Sequence, residues 1–270
     1  MKIIKKKSLG QNFLKDEEVL DKIILAGELS DSDNVLEIGP GAGALTKKLL
    51  EKVGKVVAIE KDERMRNQNS PLQKIYRRSD LLQLYFADIL DVNLPKILEE
   101  NGFAEAGYKV IANIPYYITG RILRLLFQQK PLAKIIVLLV QKEVAERIVA
   151  QHNRQSILSL SVQYYGRVEI VDYVSREAFD PIPKVDSAIL KIKPWNGTEI
   201  DKKNEKKFFQ IIKIGFSSPR KRLLKNLTNG LQIDRSKLED IFQMMDLDLN
   251  IRAENLKIEE WKRLVEELGD

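Results

Sequence analysis

The fold is decided by residues 34–43, which have the sequence NVLEIGPGAG. The apolar run at 34–38 predicts a buried β-strand, and the three glycines that follow it predict a tight loop. A helical pattern then runs from Ala44 to Val53 and ends at Gly54. The next apolar run, Val56–Glu60, predicts a second strand parallel to the first, since the helix between them completes a β-α-β unit.

Strands and helices continue to alternate beyond this unit. Further strands are predicted at about 82–87, 109–112, 134–141, 168–174 and 187–192. The last two are joined by a segment too short for a crossover helix, so they are predicted to pair antiparallel. We therefore expect an α/β fold with a mostly parallel, seven-stranded, Rossmann-like sheet that ends in an antiparallel hairpin.

The composition changes after residues 193–197 to helix formers and charged residues. Helical patterns are predicted there at about 203–215, 218–227, 236–245 and 258–268. This change predicts a domain boundary, with a larger domain at 1–195 and a small all-α domain at 196–270. The polar segment Arg64–Asp80 gives no clear prediction.

The composition is typical of a globular protein and excludes several kinds of active site. Of the 270 residues, 44% are hydrophobic and 31% are charged, as expected of a chain with one sizeable core. There is no cysteine and one histidine, His152, which excludes thiolate chemistry and disfavours a Ser-His-Asp triad or a metal site. No apolar run reaches membrane-spanning length, so we expect a cytoplasmic protein that does not contact membranes.

The positive charge is concentrated in two segments. Formal net charge is +6, yet residues 1–15 carry five lysines and no acid, and residues 202–225 carry nine lysines and arginines against one glutamate. The remainder of the chain is therefore negative. Such clusters favour a phosphate-bearing partner such as nucleic acid, although lysine runs can also serve only to solubilise a surface.

Three positions at the carboxyl ends of the predicted strands suggest a nucleotide-like ligand. The glycine loop lets a ligand approach the backbone, and Glu60, 17 residues beyond Gly43, could accept hydrogen bonds from two ribose hydroxyls. Asp88 ends the third strand and could contact the base. The G-x-G-x-G spacing differs from the dinucleotide fingerprint. A glycine-rich turn beside a solvated glutamate is the alternative.

The fourth strand ends in the motif Asn113-Ile114-Pro115-Tyr116-Tyr117. Pro115 keeps Ile114 out of helical geometry, so the Asn113 side-chain carbonyl and the Ile114 backbone carbonyl could both accept hydrogen bonds from one exocyclic amine. Tyr116 offers a ring on which an extruded adenine could stack. The alternative is a strand end with packed tyrosines.

These motifs resemble those of the S-adenosylmethionine-dependent RNA adenine-N6 dimethyltransferases. Matching stretches occur in the family's order at residues 8–14 (SLGQNFL), 35–43, 58–62 (AIEKD), 113–116 (NIPY) and 179–188 (FDPIPKVDSA). The proline at position 40 and the PKVDSA run are more similar to the KsgA-type enzymes of small-subunit ribosomal RNA than to the macrolide-resistance enzymes of large-subunit RNA. The resemblance implies a class I methyltransferase fold.

The resemblance also implies roles for individual residues. The predicted cofactor-binding residues are Asn12, Leu14, Gly39, Gly41, Glu60, Asp88 and Asn113. The predicted catalytic residues, which hold or flank the target adenine, are Asn113, Ile114, Tyr116 and Phe179. The predicted RNA-binding residues are Arg220, Lys221 and Arg222, which resemble the family's basic segment, and Lys5, Lys6 and Lys7, which are predicted from the positive charge of the N-terminal segment alone. No residue is assigned to a metal.

The implied activity is methyl transfer from S-adenosylmethionine to N6 of two adjacent adenines near the 3′ end of small-subunit (16S) ribosomal RNA. The implied partner is an immature small (30S) ribosomal subunit, and the chain is expected to act as a monomer. Two alternatives stay open: methylation of large-subunit RNA, and a ribosome-assembly factor that binds RNA without catalysis. A nicotinamide oxidoreductase is disfavoured because the glycine spacing differs and the NIPY motif would have no role in it.

Overall fold

A computed structural model describes residues 11–150, 154–195 and 204–269. Within these ranges nine strands are present: β1 (Phe13–Leu14), β2 (Asn34–Ile38), β3 (Lys55–Glu60), β4 (Leu82–Phe86), β5 (Lys109–Asn113), β6 (Ile136–Gln141), β7 (Gly166–Val174), β8 (Phe179–Asp180) and β9 (Ser187–Pro194). Among the helices in these ranges, none combines the length and the apolar character needed to cross a membrane.

Twelve α-helices are described. They are α1 (Glu17–Ala26), α2 (Ala44–Leu50), α3 (Pro71–Tyr76), α4 (Leu94–Glu100), α5 (Phe103–Ala106), α6 (Thr119–Gln128), α7 (Lys142–Val149), α8 (Ile157–Tyr165), α9 (Glu205–Gly215), α10 (Leu223–Leu231), α11 (Arg235–Met244) and α12 (Ile258–Glu267). Short 3₁₀ turns occur at Glu63–Arg66, Tyr116–Ile118, Arg176–Ala178 and Ala253–Asn255.

Seven of the strands form one sheet in the order β4-β3-β2-β5-β6-β9-β7. The pairs β2–β3, β3–β4, β2–β5 and β5–β6 are parallel, whereas β9 pairs antiparallel with β6. The residues Ile136–Val140 of β6 are fully buried, as expected for a central strand covered on both faces. The predicted fold class, a mostly parallel seven-stranded sheet with antiparallel strands at one edge, is confirmed.

The first helix of the β-α-β unit follows the glycine loop as predicted. Gly43 precedes α2 in the left-handed conformation, with φ 86°, which a residue with a side chain adopts only with strain. Leu45 and Leu49 of α2 are buried in the core cluster with the strand residue Val35. The loop is thereby fixed between a buried strand and a buried helix.

Two segments differ from the sequence-based expectation. The unassigned stretch Arg64–Asp80 contains α3, whose start is stabilised by the Ser70 Oγ, which accepts a hydrogen bond from the Gln73 N–H at 3.1 Å. Helix α10 begins at Leu223 rather than at residue 218. The preceding residue, Arg222, is extended, and the Asn226 side chain donates hydrogen bonds to the Gly215 and Ser218 carbonyls, which keeps 216–222 as a loop.

The chain divides into two compact units. One contains the described part of Met1–Ala145 together with Glu169–Pro194, and the other contains Glu146–Val168 together with the described part of Trp195–Asp270. The second unit is mainly helical. This division falls between residues 194 and 195, and residues 146–168 group with the helical unit. The predicted boundary after residue 195 stays a prediction.

Candidate active site

A cavity lies at the edge of the sheet where the parallel strands end. Its walls come from the segments that follow β2, β3, β4 and β5 and from the residues before α1. The predicted cofactor-binding residues all line it: Asn12, Leu14, Gly39, Gly41, Glu60, Asp88 and Asn113. Ligands of open α/β sheets bind at this edge. The structure therefore brings together residues that are up to about 100 positions apart in the sequence.

The glycine loop forms one wall of the cavity. Gly39 and Gly41 have positive φ angles of 70° and 56°, so side chains at these positions would strain the backbone. A Cβ atom on Gly41 would lie 2.9 Å from the ring of Phe13. The loop is therefore restricted to glycine at position 41 both by its conformation and by the close approach of Phe13.

Glu60 ends β3 with its carboxylate held by the backbone. Its Oε2 accepts a hydrogen bond from the Gly41 N–H at 2.8 Å, and its Oε1 accepts one from the Asp62 N–H at 2.6 Å. Burial raises the pKa of Glu60, and these backbone hydrogen bonds partly oppose the increase. Each oxygen retains a further lone pair for a ligand hydroxyl.

Asp88 lies beyond the end of β4 and forms an ion pair. Its Oδ2 is 2.5 Å from Lys61 Nζ, and its Oδ1 accepts a hydrogen bond from the Leu90 N–H at 3.0 Å. Burial alone would raise the pKa of Asp88, but these two hydrogen bonds outweigh it and hold the pKa below its usual value. Asp88 is therefore an ionised acceptor at the cavity wall.

The loop after β5 carries the predicted catalytic residues, and three of the four line the cavity: Asn113, Ile114 and Tyr116. The Asn113 Nδ2 donates to the Asn12 carbonyl at 3.3 Å. Its Oδ1 has no hydrogen-bond partner in the described part of the chain. The Tyr116 hydroxyl lies 2.6 Å from Ser187 Oγ, and burial raises the pKa of Tyr116. The asparagine amide and the tyrosine ring are thus both held in place.

Phe179 is not among the residues that line the cavity. It is fully buried in the core cluster and pairs with Leu14 where β1 and β8 meet. Burial among apolar side chains leaves no ring face free for stacking. Its predicted place beside the target adenine stays a prediction.

Glu37 is a cavity residue that the sequence analysis did not single out. It lies within β2, is 1% exposed, and neither of its carboxylate oxygens makes a hydrogen bond within the described residues. Burial raises its pKa to about 8, while the nearby Thr46 hydroxyl lowers the pKa and the Glu60 charge raises it further. An acid inside an apolar strand is itself the sequence signal that could have identified this position.

The raised pKa of Glu37 predicts a pH dependence of stability. The folded protein retains a proton on Glu37 between the ordinary value of 4.5 and about 8, whereas the unfolded chain releases it. Stability should therefore fall as pH rises through this window, by roughly 2 kcal/mol between pH 6 and pH 8. Glu37→Gln, which cannot titrate, should flatten this slope in denaturant unfolding curves. Equal slopes in the two proteins would contradict the assignment.

None of the predicted RNA-binding residues is among those that line the cavity, and three of them lie outside the described residues. Arg220, Lys221 and Arg222 are exposed in the loop before α10, in the helical unit. Lys5, Lys6 and Lys7 lie outside the described residues. No group of three or more His, Asp or Glu side chains in the part of the chain that the structure covers is arranged to hold a metal ion.

Comparison with known proteins identifies the family. A model of the family described as ribosomal RNA adenine dimethylase matches residues 3–270. The chain belongs to the ribosomal RNA adenine dimethylase family. The predicted resemblance to the adenine-N6 dimethyltransferases is thereby confirmed, as is the prediction of an S-adenosylmethionine-dependent enzyme.

Relatives and solved structures agree with this membership. The ribosomal RNA small subunit methyltransferase A of Fusobacterium nucleatum is 39% identical over 263 residues, which cover 96% of each chain. The crystal structure of a dimethyladenosine transferase from Plasmodium falciparum matches with a TM-score of 0.79 at 30% identity, covering 95% of this chain and 97% of the other. The 23S rRNA methyltransferase ErmE, at 24% identity and a TM-score of 0.77 over 96% of this chain and 100% of its own, shares the fold.

Proposed function

We propose that this member of the family transfers methyl groups from S-adenosylmethionine to N6 of two adjacent adenines near the 3′ end of small-subunit ribosomal RNA. The observation that carries the proposal is that the Asn113–Tyr116 loop and the residues predicted to bind the cofactor line one cavity. A methyl donor and an adenine could therefore meet there. The small-subunit substrate is supported by the similarity to the ribosomal RNA small subunit methyltransferase A of Fusobacterium nucleatum.

The residues present fit the cofactor. Glu37 keeps its proton in the free protein, and neither of its oxygens has a hydrogen-bond partner among the described residues. Its place in the cavity wall suits a cationic ligand group, because an opposite charge would compensate the cost of ionising this buried acid. Glu60 would accept hydrogen bonds from the ribose hydroxyls, and Asp88 would accept one from the adenine of the cofactor. The glycine loop lets the ligand approach the backbone.

The catalytic loop would hold the target amine. Asn113 donates its Nδ2 hydrogen to the Asn12 carbonyl, so its Oδ1 is the atom left to accept from the exocyclic amine of an extruded adenine. The Ile114 carbonyl would accept the second amine hydrogen, and the ring of Tyr116 would stack on the base. When bound, the cofactor supplies an electrophilic methyl group on a sulfonium sulfur.

The two acceptors favour a pyramidal nitrogen whose lone pair is free to attack in line, and they bind more tightly as positive charge develops on it. The proton that the amine loses can pass to water once the product is formed. Return of the monomethyl product to the same position would give dimethyladenosine.

Three finer expectations belong to this proposal. The first is that the substrate is the RNA within an immature small (30S) subunit. The second is that the phosphates of this RNA contact Arg220, Lys221 and Arg222 together with Lys5, Lys6 and Lys7. The third is that the chain acts as a monomer in the cytoplasm. Exposed cations in a loop suit phosphate contact. Charge-reversal of Arg220–Arg222 with measurement of subunit binding would test the second of these.

The test uses purified unmethylated 30S and 50S subunits with methyl-labelled S-adenosylmethionine, followed by nuclease digestion and mass spectrometry of the nucleosides. We expect N6,N6-dimethyladenosine from 30S subunits alone. Label in 50S subunits would instead indicate the large-subunit activity. Tight binding to 30S subunits without label would indicate an assembly factor, and either result would overturn the proposal.

A further inference from the structure

A short segment before α1, Gln11–Leu14, forms part of the cavity wall, and we call it the strap. All four of its residues line the cavity. The Phe13 ring lies against the backbone of Gly41, and the Asn12 carbonyl accepts the hydrogen bond from Asn113. The strap therefore contacts both the glycine loop and the catalytic loop.

The strap is also held through the side chain of Gln11. Gln11 Nε2 donates to Asp62 Oδ2 at 2.7 Å, and Gln11 Oε1 accepts from Arg64 at 3.1 Å. Arg64 in turn pairs with Asp62 at 2.5 Å. Both polar atoms of the Gln11 amide are thus fixed by an ion pair, and hydrogen bonds to charged groups are stronger than those between neutral groups.

The same ion pair is connected to the proposed cofactor acid. The Asp62 side chain is 2% exposed, and the Asp62 N–H donates to Glu60 Oε1 at 2.6 Å. The ion pair also lowers the pKa of Asp62 to about 2, with the Arg64 hydrogen bond as the main cause. Asp62 therefore stays ionised at physiological pH and links the strap to Glu60.

We propose that Asp62 and Arg64 are positioning residues that hold the strap over the cofactor site through Gln11 and so increase cofactor affinity. The proposal rests on the proposed function, because it concerns the same cofactor site. A strap that is already ordered does not have to lose conformational freedom when the ligand binds, and this preorganisation strengthens binding. A purely local role of Arg64, in which it stabilises only the turn at Glu63–Arg66, would not involve the strap.

The experiment measures the Kd for S-adenosylmethionine of the full chain and of three variants, Gln11→Ala, Arg64→Met and the double substitution. Arg66→Met is the matched control, since Arg66 lies in the same turn but pairs with the exposed Glu63 at 2.8 Å. Each single substitution should raise Kd about tenfold. The double substitution should raise it little more than either single one, because both remove the same restraint. The kcat at saturating cofactor should change less than about twofold.

Hydrogen exchange provides a readout that does not depend on the cofactor. The Lys15 N–H, just after the strap, donates to the Ala178 carbonyl, and its exchange should be faster in Gln11→Ala and Arg64→Met but not in Arg66→Met. If Arg64→Met fails to fold because Asp62 loses its partner, Gln11→Ala decides, since it leaves the ion pair intact.

Any one of three results would overturn the inference. The first is that Arg64→Met and Gln11→Ala have the same Kd for S-adenosylmethionine as the control Arg66→Met. The second is that the Kd of the double substitution is about 100-fold higher than that of the wild type, and the third is that hydrogen exchange at the Lys15 N–H is unchanged. These results leave the proposed function standing if the wild-type protein binds S-adenosylmethionine. Failure of the wild-type protein to bind it would overturn the proposed function as well as its extension to the strap.

Discussion

Replacement of Asn113 by alanine is expected to lower kcat for methyl transfer about 100- to 1000-fold, the range found when one preorganised hydrogen-bonding group is removed from an active site. The Oδ1 atom acts in this proposal on the charge that develops at the amine, so its loss affects the transition state more than the ground state. The Kd for S-adenosylmethionine should rise only a few-fold, through the lost contact with the Asn12 carbonyl. Single-turnover methylation of 30S subunits and calorimetric titration of the cofactor measure the two quantities.

Asn113→Asp is the informative companion variant. It keeps an acceptor oxygen but loses the hydrogen that Asn113 donates to Asn12, so we expect it to retain more activity than Asn113→Ala and to show a comparable change in Kd. Wild-type turnover in Asn113→Ala would remove this residue from the catalytic mechanism. A large rise in Kd with unchanged kcat would make Asn113 a residue that only organises the cofactor site.

Much of the cavity could be predicted from the sequence because its parts follow parallel strands. Strands such as β2, β3 and β5 are apolar runs that end abruptly, and the carboxyl ends of parallel strands share one edge of the sheet. This topology predicts Gly39, Glu60 and Asn113 at the same edge, and the structure has them in one cavity. The parallel topology therefore brings residues that are distant in the sequence to one place at the edge of the sheet.

Other features could not be predicted from these patterns. Strands β1 and β8 are two residues long, which is too short for a period-2 pattern, so only the resemblance predicts a role for Asn12 and Leu14. The burial of Phe179 depends on side chains from distant segments. The hydrogen bond from Gln11 to Asp62 joins positions that are 51 apart in the sequence, and no local pattern encodes such a contact.

The start of α10 shows a further limit of sequence patterns. The helical periodicity extends back to residue 218, but the Asn226 side chain satisfies the carbonyls of Gly215 and Ser218 in a loop conformation. A tertiary hydrogen bond therefore overrides local helix preference, in the way that side-chain to backbone bonds compete with helices elsewhere. The consequence is that Arg220, Lys221 and Arg222 are presented from a loop rather than from a helix face.

Glu60→Gln is expected to raise the Kd for S-adenosylmethionine about 100-fold while kcat at saturating cofactor changes only a few-fold. The wild-type carboxylate accepts hydrogen bonds from the Gly41 and Asp62 N–H groups and, in the proposed complex, from two ribose hydroxyls. A glutamine side chain has one acceptor oxygen, so its NH₂ group would face a backbone N–H donor. The loss of two charge-assisted hydrogen bonds accounts for a rise in Kd of about 100-fold. Glu63→Gln, in which the exposed neighbouring acid is changed, is the matched control.

The ribose role can be separated from the role of Glu60 as an anchor for the glycine loop. S-adenosylhomocysteine and its 2′-deoxy analogue should differ in affinity for the wild-type protein but bind Glu60→Gln almost equally, because the acceptor for the missing hydroxyl has gone. Since burial raises the pKa of Glu60, wild-type affinity should also decline as the pH is lowered toward that pKa, whereas the affinity of Glu60→Gln should not. An undiminished preference for the 2′-hydroxyl in Glu60→Gln would show that the carboxylate supports the loop and does not contact the ribose.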